Sequence, residues 1–243
     1  MIFIEDILAT IGTGAKLKAA LRSKLPLPLL FATLPSAKED DTVVILFTSG
    51  SEKDPKGVQL THRNFSSNII DLVRVFRLSE QDVMMGVLPL FHVFGHNANF
   101  WLPLIVGMTN VTVANPLEYK NIPKIIREEK PTMMAGTPIF FAGYLRESEP
   151  GDLASLRIVV PGADKTPDWL REGYRTKHGI ELLEAYGTTE TSPGVTVNTP
   201  EANRPGSIGR PFPACSSRSR ISAPGLPSGR ARKARSWSRG IWS

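Results

Sequence analysis

The sequence predicts an α/β fold in which a mostly parallel sheet is flanked by helices. Short apolar segments typical of buried strands alternate with amphipathic helical segments, at intervals of about 20–25 residues. The 243 residues are 41% hydrophobic and 21% charged, an ordinary composition for a globular protein. Ligands of parallel sheets bind beyond the carboxyl ends of the strands, so the loops that follow the predicted strands are candidate sites.

Hydrophobic periodicity assigns the elements along the chain. Helical spacing covers residues 1–24, divided near Gly12 and Gly14, and the proline-rich, then acidic, residues 25–40 are interpreted as a connector. Strands are predicted at residues 43–48, 83–88, 109–114, 132–135, 157–160 and 181–185. Helices are predicted at residues 62–77, 94–106, 121–130, 138–147 and 167–178.

Capping residues set three of these boundaries. Thr61 is expected to cap the helix at 62–77. Thr166 is expected to cap the last helix, with Pro167 at its first helical position. Gly179 then follows His178 as a C-terminal signal.

Positive charge is concentrated at the carboxyl terminus. Residues 216–243 contain six Arg, one Lys and no acid, against a net charge of +6 for the whole chain. The rest is therefore close to neutral, and the sequence pI of about 9.5 reflects this tail. Residues 214–243 lack apolar periodicity and are predicted to be disordered. The single cysteine, Cys215, excludes an internal disulfide and fits a reducing compartment.

Neither the amino terminus nor the longest uncharged segment is typical of membrane targeting. The first residues lack the basic region and long apolar core of a secretion signal. Residues 83–117 contain no charged side chain, and 35 residues are enough to span a bilayer. Because Pro, His, Asn and Gly interrupt this segment, a buried strand–helix–strand passage is predicted instead.

The loop after the strand at 43–48 combines hydroxyl, glycine and lysine residues. The hydroxyls of Thr48, Ser49 and Ser51 and the charge of Lys56 suit a phosphate chain, although a plain surface turn explains the same residues. The loop is not a Walker A motif, because Pro55 precedes the lysine and a glycine follows it.

Two more polar loops follow predicted strands. Tyr186 offers a flat face for a purine, Thr189 a hydroxyl for a phosphate, and Glu190 a hard oxygen ligand for Mg²⁺. The small residues of the turn at 161–163 permit close approach of a flat ring, and Asp164 can accept from an amine. Taken singly, each loop is also explained as a simple turn.

Two histidines lie four residues apart in the uncharged segment. His92 and His96 have the spacing of a metal-binding pair on a helix, but no third ligand lies beside them. A packed aromatic corner with one functional histidine is the preferred interpretation.

In this order, the three loops resemble the adenylate-forming superfamily of acyl-CoA synthetases, acyl-carrier-protein ligases, luciferases and peptide-synthetase adenylation domains. The matching segments are Thr48 to Gly57, Pro89 to His92 and Tyr186 to Glu190. The local sequence around residues 45–52 and 190–211 is most similar to that of bacterial acyl–acyl-carrier-protein synthetases, including the ligase half of fused 2-acylglycerophosphoethanolamine acyltransferases.

The resemblance implies a two-step reaction on a fatty acid, with ATP and Mg²⁺. The carboxylate attacks the α-phosphate of ATP, and a phosphopantetheine thiol of CoA or acyl-carrier protein then takes the acyl group. The catalytic residues implied are His92, at the acyl pocket with Phe94, Phe100 and Trp101, and Thr189 and Glu190, at the α-phosphate and Mg²⁺. The nucleotide-binding residues implied are Thr48, Ser49, Gly50, Ser51, Lys56, Gly57, Gly162, Ala163, Asp164, Tyr186, Gly187 and Thr188.

Departures from the family pattern limit the expected activity. Lys53 stands where the family often has a second glycine, and the later ribose-binding aspartate and catalytic lysine find no match. We expect a helix and connector over residues 1–40, a partial adenylation domain over 41–213, and a tail over 214–243 whose composition a shift of the reading frame would explain. The chain is expected to be a truncated ligase with little complete turnover.

Two alternatives stay open: a module that binds nucleotide or acyl groups without turnover, and a polyanion-binding arm formed by the basic tail. No nucleic-acid partner is expected, since an out-of-frame origin explains the tail composition. The expected location is the cytoplasm, with peripheral association at the inner membrane face if the parent enzyme is a fused acyltransferase.

Overall fold

The computed structural model describes Glu5 and residues 9–34, 36–48 and 55–214. The chain divides into two compact units, Met1–Asp41 and Thr42–Ser243. The disorder predicted for the basic tail falls almost wholly on residues 215–243, which lie outside the described ranges.

The described residues of the first unit include the helices α1 (Thr13–Arg22) and α2 (Leu27–Ala32). The helical character predicted for residues 1–24 is present at Ala9 and Thr10 and again from Thr13, with Gly12 at the N-cap of α1. The connector predicted for residues 25–40 is wrong over α2. Pro28 lies in the first turn of this helix, where a backbone N–H has no acceptor within the helix, so its absence from proline costs no hydrogen bond.

The second unit begins with an antiparallel hairpin of β1 (Thr42–Thr48) and β2 (Lys56–Thr61), in which Thr48 lies opposite Lys56. The strand predicted at 43–48 is present but not buried, because Ile45 and Phe47 are 51% and 75% exposed. The periodicity did not predict β2.

Thr61 caps α3 (His62–Phe76), as predicted. Its hydroxyl accepts from the backbone N–H of Asn64 at 3.3 Å, and the Asn64 side chain accepts from the Thr61 N–H at 2.9 Å. This reciprocal capping box fixes the direction in which α3 leaves the hairpin.

Four parallel strands form the central sheet in the order β4–β3–β5–β6, which confirms the predicted fold class. They are β3 (Val83–Gly86), β4 (Thr109–Thr112), β5 (Met133–Gly136) and β6 (Ile158–Pro161). The helices that follow α3 are α4 (Val93–His96), α5 (Leu102–Val106), α6 (Asn121–Glu129), α7 (Pro138–Glu147) and α8 (Asp168–His178).

A π-helical turn, Asn97–Trp101, joins α4 to α5. Residues 83–112 therefore run strand–helix–strand, as predicted for the uncharged segment. Within the described ranges, no helix has both the length and the apolar character needed to cross a bilayer.

Side chains alternate between the two faces of the sheet and build two cores. Met84, Met133 and Ile158 belong to one cluster, which includes residues of α3. Their sequence neighbours, Met85, Met134 and Val159, belong to the other, which includes residues of α6, α7 and α8. This period of two is what a sheet covered on both faces requires.

Polar side chains gather around the buried Asp82 and connect the amino ends of the central strands. The Asp82 carboxylate accepts from Arg157 Nη2 at 2.8 Å and from the Thr132 hydroxyl at 2.7 Å. Burial alone would raise the pKa of Asp82, but the hydrogen bonds from Arg157, Thr132 and the Ser79 backbone hold it below its ordinary value.

A small antiparallel sheet follows, made of β7 (Ala185–Gly187), β8 (Gly194–Val197) and β9 (Arg210–Pro211). The strand predicted at 181–185 is wrong in its bounds. Leu182 makes only an isolated parallel bridge to Val159, and the regular strand starts where the chain turns into the second sheet.

The predicted boundaries of α8 are half correct. Gly179 ends the helix in the left-handed conformation, with φ of 68°. Thr166 is not its cap, because Pro167 occupies the N-cap position. The Thr166 hydroxyl is buried and has no hydrogen-bond partner among the described residues.

Candidate functional site

One cavity of about 410 Å³ collects residues from all three predicted loops and the histidine segment. The predicted site residues on its wall are Thr48, His92, Gly162, Ala163, Tyr186, Gly187, Thr188, Thr189 and Glu190. Its volume lies within the range of about 300–1,000 Å³ that is usual for small-molecule sites.

Other predicted site residues lie elsewhere. Lys56 and Gly57 are the exposed first residues of β2, where Lys56 pairs with Thr48 in the ladder. Asp164 is exposed, and its carboxylate accepts from the Lys165 N–H at 2.7 Å. Ser49, Gly50 and Ser51 fall outside the described residues.

The wall after β6 brings backbone close to the cavity. The Gly162 N–H donates to the Gly136 carbonyl at 2.9 Å. A Cβ at Gly162 would lie 2.9 Å from the Phe94 ring, so a larger residue would displace that ring. Ala163 has φ of 67°, a conformation that costs a non-glycine residue about 1–2 kcal/mol. Such strain is often found at ligand sites.

The wall after β7 is held by its own backbone. A Cβ at Gly187 would lie 1.9 Å from the Pro193 carbonyl oxygen, so glycine is required at this crossing. The Thr188 N–H donates to the Pro193 carbonyl at 3.1 Å and to the Thr191 hydroxyl at 2.9 Å. The 3₁₀ turn Thr189–Thr191 then presents Thr189 and Glu190 at the cavity.

His92 lies at the N-cap of α4. Its Nδ1 accepts from the Phe94 N–H at 3.2 Å, so the neutral ring carries its proton on Nε2. The turn that places His92 requires Gly95, because a Cβ there would lie 2.2 Å from the Pro89 carbonyl oxygen.

His96 lies in the aromatic corner that the sequence predicted. Its ring packs against Phe65, Phe100 and Trp101, with centroid distances of 5.6, 5.5 and 6.1 Å. Of the three aromatic residues expected beside the acyl group, Phe94 alone is on the cavity wall; the others contact His96 instead.

A largely buried ion pair, Arg171 with Glu184, links the segment after β6 to the start of β7. Arg171 Nη1 lies 3.1 Å from Glu184 Oε1 and donates to the Thr166 carbonyl at 2.7 Å. Glu184 also accepts from the Gly206 N–H at 2.8 Å and directly precedes β7. The pair therefore connects the segment after Gly162 to the strand that carries Tyr186.

The sequence of residues 9–218 matches the family described as AMP-binding enzyme. The chain belongs to this family.

Curated relatives within it are CoA ligases. A long-chain-fatty-acid–CoA ligase of Bacillus subtilis is 33% identical over 183 residues, covering 72% of this chain and 32% of that protein. The mitochondrial malonate–CoA ligase of Mus musculus is 31% identical over 193 residues, covering 73% of this chain and 33% of that protein. The chain thus spans about a third of the length of the curated relatives it matches.

Solved structures agree with the fold. The O-succinylbenzoate coenzyme A synthetase of Bacillus subtilis, in complex with ATP and magnesium ion, superposes with a TM-score of 0.65 at 30% identity. The match covers 72% of this chain and 36% of that one.

The cavity of this AMP-binding family member offers groups of the kind that a nucleotide site uses. It combines the partly buried Tyr186, the small residues Gly162 and Ala163, and the hydroxyls of Thr48 and Thr189. Glu190 supplies a carboxylate, and no cluster of three His, Cys, Asp or Glu side chains exists among the residues described. That donor set suits Mg²⁺, which is usually held by one or two carboxylates, water and substrate phosphates.

Sequence reasoning missed part of the wall. Val93, Ala185, Pro193 and Gly194 also line the cavity. The adjacent residues Ser192, Pro193 and Gly194 are a recognisable turn signal, which could have predicted that the chain folds back beside Tyr186.

Proposed function

We propose that this chain binds ATP and Mg²⁺ in the cavity and serves in activating a carboxylic acid as its acyl-adenylate. The observation that carries the proposal is the convergence of Thr48, His92, Gly162 and Tyr186–Glu190 around one cavity. These residues come from four separate parts of the chain, and the family match spans all of them.

Each wall suits one part of the nucleotide. Tyr186 and the backbone at Gly162 and Ala163 would flank adenine, since small residues and a flat ring admit a planar base. Thr48, with the segment that follows it, would hold the β- and γ-phosphates, and Thr189 would donate to the α-phosphate. Glu190 would hold Mg²⁺, which neutralises charge on the phosphates.

The reaction exchanges a phosphoanhydride bond of ATP for a mixed anhydride between the acid and AMP. A carboxylate oxygen of the acid attacks the α-phosphorus, and the bond from that phosphorus to the pyrophosphate oxygen breaks. Catalysis of such a step is mainly positioning and stabilisation of charge. His92, with its Nε2 proton, would orient the carboxylate on the side of Val93 and Phe94.

We further propose a fatty acid as substrate and a phosphopantetheine thiol, of CoA or acyl-carrier protein, as acceptor. The apolar residues beside His92 support an acyl group, and two of the curated relatives are long- and medium-chain fatty-acid–CoA ligases. The sequence around residues 45–52 and 190–211 resembles acyl-carrier-protein ligases, which supports a thiol carried by a protein as the acceptor.

Residues 1–243 alone are proposed to bind MgATP while completing little adenylation. No position in the sequence matches the family's catalytic lysine or its ribose-binding aspartate. An assay for acyl-AMP with MgATP and a fatty acid distinguishes binding from turnover. Formation of acyl-AMP at a full enzymatic rate would refute this part of the proposal.

Calorimetric titration with MgATP tests the site. We expect saturable binding that Glu190→Gln weakens by about tenfold, since it removes a charged metal ligand, and only when Mg²⁺ is present. Glu80→Gln removes an exposed carboxylate outside the cavity and is the matched control. Absence of saturable MgATP binding, or equal effects of both variants, would contradict the assignment.

A further inference from the structure

Two buried asparagine side chains join opposite walls of the cavity. Asn97, 1% exposed, lies in the π-helical turn that continues the His92 helix, and Asn68, 7% exposed, lies in α3. Asn97 Nδ2 donates to Asn68 Oδ1 at 2.8 Å and to the Ser192 carbonyl at 2.7 Å. Asn68 Nδ2 donates to the Gly194 carbonyl at 2.8 Å.

The Ser192 and Gly194 carbonyls, which accept from Asn97 and Asn68, belong to the residues on either side of Pro193. The Pro193 carbonyl in turn accepts from the Thr188 N–H at 3.1 Å, which ties the Thr188 loop to this segment. Ser192 has φ of 67°, so the backbone here is in a conformation that a serine does not favour by itself. The asparagine bonds therefore fix a strained bend from which Thr188, Thr189 and Glu190 take their position.

The orientation of the Asn97 amide is determined by its surroundings. Its Nδ2 faces two oxygen acceptors, and a flipped amide would place oxygen against oxygen. Asn97 Oδ1 is buried without a hydrogen-bond partner in the part of the chain that the structure describes. An unpartnered buried carbonyl is destabilising, so what the amide contributes at this position is the pair of bonds that its Nδ2 donates.

We propose that Asn97, with Asn68, is a positioning pair that sets the separation between the His92 helix and the Thr188–Glu190 loop. Neither side chain lines the cavity, so the pair acts through the loop rather than on the ligand. The proposal rests on the proposed nucleotide site, and its effect falls on the phosphate and Mg²⁺ side of that site.

Hydrogen exchange of the ligand-free protein tests the positioning. Asn97→Ala is expected to raise exchange at residues 188–194 by about tenfold or more, because the bend loses its tether. Asn99→Ala is the matched control. Asn99 is 3% exposed, lies in the same π turn and donates to the Leu88 carbonyl at 3.0 Å instead of to this loop. Equal exchange at 188–194 in the two variants would overturn the proposal.

Nucleotide titrations test the consequence. Asn97→Ala is expected to weaken MgATP by about tenfold while changing adenosine affinity by less than about threefold, since adenosine lacks the phosphates and the Mg²⁺ that Thr189 and Glu190 would contact. A uniform loss for MgATP and adenosine, which a merely structural role would produce, would overturn the proposal. If wild type binds no MgATP but the exchange result holds, the proposed function fails and the positioning role stands.

Asn68→Asp provides a second test of the proposal, which applies even if the Asn97→Ala protein does not fold. Aspartate keeps the shape and an acceptor for Asn97 but loses the donor to the Gly194 carbonyl. We expect increased exchange centred on Gly194 with the fold retained. Unchanged exchange in a folded Asn68→Asp protein would count against the proposal.

Discussion

Tyr186 is the one aromatic side chain on the cavity wall formed by β7. It is followed by Gly187, which has no room for a side chain, and it faces a cavity whose other wall carries the small residues Gly162 and Ala163. The cavity thus combines an aromatic ring with small residues, a set that suits a planar base.

Substitution of Tyr186 tests that assignment. Tyr186→Ala should weaken adenine nucleotides by about 5- to 150-fold, because stacking of a base on an aromatic ring contributes about 1–3 kcal/mol. Tyr186→Phe keeps the ring and should bind within about twofold of wild type. Titrations with MgATP and adenosine measure the change. Equal weakening by both substitutions would show that the hydroxyl, not the ring face, is needed.

At the scale of elements, a histidine connects the ends of two helices. His178, the last residue of α8, lies with Nε2 2.8 Å from the hydroxyl of Ser148, which follows α7. His178 Nδ1 is buried and lacks a partner among the residues described. Burial and the adjacent Lys177 charge lower the pKa of His178, while the Asp152 charge acts in the opposite direction.

This lowered pKa predicts acid sensitivity. The unfolded histidine takes up a proton near pH 6.5, whereas the folded one does so at a lower pH. Its contribution to stability is therefore complete above the unfolded pKa and is lost as the pH falls through the folded pKa. His178→Gln should reduce the loss of unfolding free energy between about pH 7.5 and about pH 5.5.

Urea unfolding at both pH values measures this difference. An exposed substitution, Lys124→Gln, serves as the control because Lys124 belongs to the neighbouring helix α6 and lies away from His178 in sequence. If the pH dependence is the same in His178→Gln as in the control, the buried imidazole is not its source.

The elements that sequence predicted best are those whose side chains are buried on both faces. The runs around Met84, Met133 and Ile158 are apolar throughout, so periodicity and length were enough to identify β3, β5 and β6. β2 was missed because Lys56, Gly57 and Gln59 interrupt its apolar pattern. The π turn carries no local signal.

At the scale of the whole molecule, β1 exposes an apolar face. Ile45 and Phe47 lie two residues apart on one side of the strand, and Gly57 across the hairpin is too small to cover them. Exposed apolar patches on a strand promote association with other chains.

Phe47→Thr should therefore reduce self-association without loss of stability. Threonine keeps the β-branched preference for a strand, and an exposed substitution of this kind usually changes unfolding free energy by about 0.5 kcal/mol or less. Light scattering measures the association, and thermal unfolding provides the control. If Phe47→Thr leaves self-association unchanged, the exposed face of β1 is not the surface through which the chains associate.

The candidate site was predictable because its residues occur in short local patterns. Tyr186 to Glu190 and Pro89 to His92 could be recognised without any knowledge of contacts, and both segments reach the cavity. The pair Asn68 and Asn97 could not, since their bonds to Ser192 and Gly194 span distances in sequence that only folding brings together.

Asp82, Thr132 and Arg157 gather at the amino ends of the central strands, whereas the wall after β6 lies at a carboxyl end. A mutational scan scored for protein abundance would therefore be sensitive at Asp82, Thr132 and Arg157, whereas one scored for ligand binding would be sensitive at cavity side chains such as Tyr186 and Glu190. Substitutions of those cavity side chains are expected to leave the fold intact. A lineage could thus lose its chemistry and still keep a chain that folds, accumulates and resembles its active relatives.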